Sequence, residues 1–158
     1  MSRRAVRPLP IVVAALAVLA MGAGGGLLTD LGPWYQDLVQ PEWKPPDIAF
    51  GPVWTTIFVL AAIGGVLAWS AAESLADRRL ILTLFGVNAI LNLGWSALFF
   101  QLKRPDWALA ELVLLWLSIL ALIVGLKRLS LAASLFVVPY LAWVTFAGVL
   151  NYAIVRLN

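Results

Sequence analysis

Five stretches of this chain, at residues 9–28, 50–72, 80–102, 107–126 and 131–155, are nearly unbroken runs of apolar side chains. Each has the roughly 20 residues that an α-helix needs to cross the hydrocarbon core of a bilayer, about 30 Å thick. The remainder cannot make such a chain soluble. Of its 158 residues 63% are hydrophobic and 12% charged, too few polar side chains to cover a water-exposed globule. In lipid every backbone polar group must be paired, either within a helix or around a closed barrel. The runs lack the period-2 alternation of barrel strands. The expectation is an all-α integral membrane protein, residues 1–158 forming one bundle of five transmembrane helices. Short connections at 73–79, 103–106 and 127–130 make successive helices antiparallel neighbours.

Arg3, Arg4 and Arg7, followed by an apolar run ending in small residues, also fit a signal peptide. The run at 9–28 exceeds the usual signal core of about 7–15 residues, so it is read as a retained first span. With five spans, Arg3, Arg4, Arg7, Arg78, Arg79, Lys127 and Arg128 share one side, against Lys44, Lys103, Arg104 and Arg156 on the other. The positive-inside rule then predicts a bacterial cell membrane with a cytoplasmic N-terminus, or an organelle outer membrane in a eukaryote. This flanking accounts for the net charge of +3, and no nucleic-acid partner is expected.

The one long connection, about 30–49, is the only extended stretch that is not hydrocarbon-like. From Trp34 to Thr55 it reads WYQDLVQPEWKPPDIAFGPVWT. Its prolines and aromatic residues give neither helical periodicity nor the Gly/Ser composition of a slack tether, and Pro41, Pro45 and Pro46 fix φ in advance. An ordered lid over a pocket is the expectation. The chain has no Cys and no His, which removes thiol nucleophiles, His-dependent triads and the usual His/Cys ligands of zinc or haem iron. No phosphate-binding loop is present, no metal site is predicted, and no cofactor is called for. Aromatic, amide and carboxylate chemistry remains.

Asn88, Asn92, Trp95 and Phe99 recur at i, i+4, i+7 and i+11, one stripe of the third span. Tyr140, Trp143, Ala147, Leu150 and Asn151 fall on successive turns of the fifth. Stripes mixing amides with large rings fit the walls of a pocket for a flat, mostly apolar ligand. Asn92 and Asn151 equally fit interhelical hydrogen bonding, a common use of amides in lipid. Trp95, Trp116 and Trp143 lie deep in their spans, where each indole N–H needs an acceptor; Trp34 and Trp43 fit the membrane interface, and Trp54 fits either setting.

The runs WYQDLVQPEWKPP, FGPVWT, NAILNLGWSALFF and VPYLAWVTFAGVLNYAIVRLN together resemble the translocator protein family, also called tryptophan-rich sensory proteins or peripheral-type benzodiazepine receptors. The resemblance covers about residues 34–157. It implies a five-helix bundle, usually a homodimer, with a pocket capped by the first loop. It further implies partners among porphyrins and other tetrapyrroles, sterols such as cholesterol in eukaryotes, and synthetic isoquinolines and benzodiazepines. By motif position the pocket residues are Tyr35, Pro41, Trp54, Asn88, Asn92, Trp143 and Ala147, to which the stripe adds Trp95. Some bacterial members are associated with light-dependent porphyrin breakdown, and the two tryptophans implicated correspond to Trp54 and Trp143. Function is thus read as a tetrapyrrole-binding membrane sensor or carrier, with a porphyrin-degrading enzyme as the alternative.

Three further features stay open. Leu150, Tyr152 and Arg156 fit a loose sterol-binding pattern, and equally an interfacial Tyr with a snorkelling Arg. Glu111, an ionisable residue within a span, suits either pairing with Lys103 or Arg104 or a proton relay. Gly22 with Gly26, and Ala61 with Gly65, form small-xxx-small pairs that allow close helix approach within the bundle or between copies.

Overall fold

The computed structural model describes residues 8–158, so Arg3, Arg4 and Arg7 lie outside the described residues. The elements are α1 (Pro8–Leu28), the short α2 (Pro33–Asp37), a 3₁₀ turn (Asp47–Ala49), α3 (Phe50–Ala71), α4 (Leu75–Ser96), a π-helical turn (Ala97–Gln101), α5 (Pro105–Lys127) and α6 (Leu131–Leu157). All five long helices have the length and apolar composition to cross a membrane. The protein is an all-helical integral membrane bundle.

Helix starts follow local chemistry. Ser74 caps α4 in a reciprocal box: Asp77 N–H donates to Ser74 Oγ at 3.0 Å, and Ser74 N–H donates to Asp77 Oδ2 at 3.0 Å. This box moves the start of the third span from the expected residue 80 back to Leu75. Pro105 opens α5, where its missing N–H costs nothing. Ser130 caps α6 by accepting from Ala133 N–H at 3.2 Å.

The helices close a ring in the order α1, α3, α6, α5, α4 and back to α1. α5 supplies the densest stripe of the core, Leu115, Ile119, Leu122 and Leu126, packed against Ala133, Val137, Tyr140 and Val144 of α6. In lipid such packing rests on close contact rather than on escape from water. α3 and α6 approach closely at Gly64, where a Cβ would sit 2.7 Å from the Ala133 carbonyl oxygen. α1 buries no residue and forms an outer wall of the ring.

The lid is ordered by local hydrogen bonds, as its prolines and rings predict. Asp30 Oδ1 accepts from Gly32 N–H at 2.8 Å, and Pro33 follows as the first residue of α2, where its fixed φ suits a helix start. Lys44 N–H donates to the Pro41 carbonyl at 3.0 Å, closing a turn before Pro45 and Pro46. The lid is tied to the end of α6 by a two-way contact: Val39 N–H donates to Asn158 Oδ1 and Asn158 Nδ2 donates to the Val39 carbonyl, both at 3.0 Å.

Candidate functional site

Beneath the lid, on the side of the ring closed by α1, lies a cavity of about 480 Å³. Its rings come from five elements: Tyr35 of α2, Phe50, Trp54 and Phe58 of α3, Trp95 of α4, Phe99 and Phe100 of the π turn, and Trp143 of α6. The π turn widens the helix so that Phe99 and Phe100 both turn inward, 3% and 8% exposed. Interruptions of this kind often mark functional regions. Trp95 stacks on Phe99 at 5.3 Å, and Trp34 meets Phe99 edge-on at 6.0 Å, docking the lid on the rings below. Trp43, half exposed, packs on Phe146 outside the cavity.

Most polar groups around the cavity are already matched. Asn92 Nδ2 donates to the Tyr140 hydroxyl at 2.9 Å, Trp95 Nε1 donates to Asn151 Oδ1 at 3.1 Å, and Asn151 Nδ2 donates to the Pro105 carbonyl at 2.9 Å. These bonds join α4, α6 and α5 and fix the orientation of the rings. Trp116 Nε1 finds Thr145 at 2.9 Å. Trp143 differs: its Nε1 is buried and has no partner among the described residues. A buried donor without an acceptor is uncommon and points to a missing partner.

Of the residues singled out from sequence, Tyr35, Trp54, Asn92, Trp95, Trp143 and Ala147 line the cavity, as do Leu150 and Asn151. Asn88 and Pro41 do not. Asn88 is buried between helices and donates to Ser118 Oγ of α5 at 2.9 Å, an interhelical bond. Pro41 shapes the turn that presents Lys44. The sterol pattern does not form one surface, because Leu150 faces inward while Tyr152 and Arg156 are exposed. Glu111 pairs with neither expected cation: its carboxyl oxygens are buried without a partner, and Arg104 binds Asp106 instead.

The sequence reading missed the contribution of α1. Met21, Gly22, Gly25 and Gly26, with Thr29 just beyond the helix end, complete the wall, and a Cβ at Gly22, Gly25 or Gly26 would meet nothing within 4 Å. The GxxxG pair therefore leaves volume and brings no helix of the same chain close. Three glycines at i, i+3 and i+4 were the available signal. Lys44 and Asp47 were also missed, although both line the cavity.

Lys44 Nζ donates to the Tyr35 hydroxyl at 3.1 Å and to Asp47 Oδ1, and the Tyr35 hydroxyl donates to the same Asp47 Oδ1 at 2.7 Å. Burial pushes the Tyr35 phenol above its ordinary value, and the bond to Asp47 adds to the shift. Burial opposes the charge of Lys44, but its bonds to Asp47 and Tyr35 hold it above the usual lysine value.

An aromatic cavity under a proline-rich lid, with matched amides around its walls, is thus joined to the motif blocks of the sequence. The family model described as TspO/MBR family matches residues 13–157. The chain belongs to the TspO/MBR family. Among TspO/MBR relatives it is 41% identical to "Tryptophan-rich protein TspO" of Chlorobaculum tepidum, over 89% of this chain and 90% of that one. It is 35% identical to "Protein CrtK" of Rhodobacter capsulatus, over 90% and 89%. With the human "Translocator protein" it shares 33% identity over 79% of this chain and 75% of the human one. The TspO/MBR match takes in every span, including most of α1.

Proposed function

We propose that this protein binds flat, largely apolar ligands of the tetrapyrrole type in the cavity beneath its lid, as a membrane sensor or carrier. One observation carries the reading: a space of about 480 Å³, within the range of small-molecule sites, is walled by stacked and edge-on aromatic rings, among them Trp143, whose buried N–H has no partner among the described residues. Ring stacking and apolar burial supply affinity, and Trp143 supplies one hydrogen bond to a ligand acceptor. The chain has neither His nor Cys to serve as an axial ligand to iron, and free-base porphyrin is expected to bind at least as well as haem. The test is a titration of detergent-purified protein with protoporphyrin IX, read by tryptophan quenching. Saturable quenching that weakens in Trp143→Ala is expected; quenching that does not saturate overturns the proposal.

A second reading, light- and oxygen-dependent porphyrin degradation, is favoured by the contact between Trp54 and Trp143, two electron-rich indoles side by side on the cavity wall. The proposed orientation puts the lid outside the cell: Arg78, Arg79, Lys127 and Arg128 lie at the opposite end of the bundle and balance Lys44, Lys103, Arg104 and Arg156 on the lid side, and Arg3, Arg4 and Arg7, which precede α1 in the sequence, tip the count to seven against four. A single Cys introduced at Glu42 of this Cys-free chain, probed with an impermeant maleimide on intact cells, tests it by labelling. The homodimer is proposed from the family resemblance alone, and cross-linking in native membranes tests it.

A further inference from the structure

The cap end of the cavity holds a lysine, and a free carboxylate on the ligand is the obvious partner for it. The geometry points elsewhere. Among the described residues, Lys44 and Asp47 are the only ones lining the cavity that carry a formal charge at neutral pH, and they cancel. Their side chains are 13% and 33% exposed, and they are paired with each other directly. Tyr35 binds both, so the three side chains from α2, the lid turn and the 3₁₀ turn form one neutral, hydrogen-bonded cluster. No other lysine or arginine among the described residues lines the cavity. Arg104, near in sequence to the π turn, is bound to Asp106.

A carboxylate brought to this cluster gains one remaining Lys44 N–H and meets the Asp47 carboxylate beside it. It would also lose water with no net countercharge, which is costly in a partly buried setting. A neutral polar group does better. Both bonds to Asp47 fall on Oδ1, so Oδ2 is left to accept a proton donor, while Lys44 keeps one N–H for an acceptor.

We infer that the Tyr35, Lys44 and Asp47 cluster makes the cap end of this cavity selective for ligands whose inserted end is uncharged, such as a hydroxyl, amide or ester, over those that must insert a free carboxylate. The inference rests on the proposed binding of tetrapyrroles and specifies how they sit: the macrocycle is inside, and ionised acid groups stay away from the cluster.

Protoporphyrin IX and its dimethyl ester share one ring and differ in two charges, and a non-ionic detergent keeps the micelle from favouring either. The unmodified protein is expected to bind the diester at least as tightly as the diacid. Asp47→Asn leaves Lys44 uncompensated and should shift the preference toward the diacid by about tenfold; Lys44→Met should shift it the other way. Diacid preferred by tenfold or more in the unmodified protein, or a preference unmoved by both substitutions, overturns the inference while leaving tetrapyrrole binding intact. If neither porphyrin binds, the functional reading falls and the inference with it.

Discussion

The indole rings of Trp54 and Trp143 meet edge to face, their centroids 6.3 Å apart and their planes at 89°, joining α3 to α6 across one wall of the cavity. Trp143 also stacks on Phe146 at 5.2 Å and meets Phe50 edge-on at 5.6 Å. Its ring is therefore held by contacts on several sides while its N–H is left without an acceptor.

Trp143→Phe separates these roles, keeping an aromatic ring and deleting the donor. Porphyrin affinity is expected to fall by a few-fold in Trp143→Phe and by about tenfold or more in Trp143→Ala. If degradation is a true activity, Trp54→Phe combined with Trp143→Phe binds porphyrin but bleaches it more slowly under light than the parent does. Equal bleaching per bound porphyrin assigns the photochemistry to the porphyrin alone.

Gly64 and Gly25 should respond oppositely to added volume. At Gly64 a Cβ meets the Ala133 backbone oxygen at 2.7 Å, and backbone cannot swing aside as a side chain does. Gly64→Ala is expected to cost about 1–3 kcal/mol, the usual range for overpacking. Gly25→Ala, facing open space, is expected to leave the melting temperature in detergent unchanged or slightly raised.

Asn88 and Ser118 should be energetically coupled without touching the ligand. A double-mutant cycle on Asn88→Ala and Ser118→Ala is expected to give about 0.6 kcal/mol, typical of interhelical bonds in membranes. Porphyrin affinity of Asn88→Ala should match the parent. A large loss with unchanged stability would return Asn88 to the ligand site.

Tyr35 and Lys44 both hold their protons more tightly in the folded protein than outside it. A raised folded-state value contributes stability that is complete below the unfolded value, about pH 10 for both groups, and is lost as pH rises through the folded one. Porphyrin affinity is therefore expected to be level between about pH 7 and 9 and to fall above about pH 10. The combination of Tyr35→Phe and Lys44→Met should remove the alkaline step.

The spans were legible because their length and apolar composition admit few alternatives, and the lid because its prolines and rings suit no slack tether. The misplaced start at residue 80 came from following hydropathy past a capping box that polar residues Ser74 and Asp77 had built. Asn88 shows a limit of stripe arguments: it shares a helical face with Asn92, yet the ring order gives it α5 as a neighbour in place of the cavity. That order depends on pairwise packing and is not written in any one helix. Gly22, Gly25 and Gly26 were visible, but small residues signal either close approach or empty space, and only the position of a neighbouring helix decides between them. Lys44 and Asp47 looked like polar residues of a loop until the turn at Pro41 brought them over the cavity.

The central claim, that the cavity closed by α1 and the lid is the ligand site, is tested most directly by titrating free-base protoporphyrin IX into the parent and Gly25→Leu, following the shift of the porphyrin absorption band. Gly25 lines the same space as the rings credited with stacking, and with nothing within 4 Å of a Cβ built there the added side chain has room to enter without disturbing the fold. One saturable site per chain in the parent, weakened about tenfold or more in a stably folded Gly25→Leu, is the predicted result. Equal affinity in the two proteins, or no saturable shift in the parent, would contradict it.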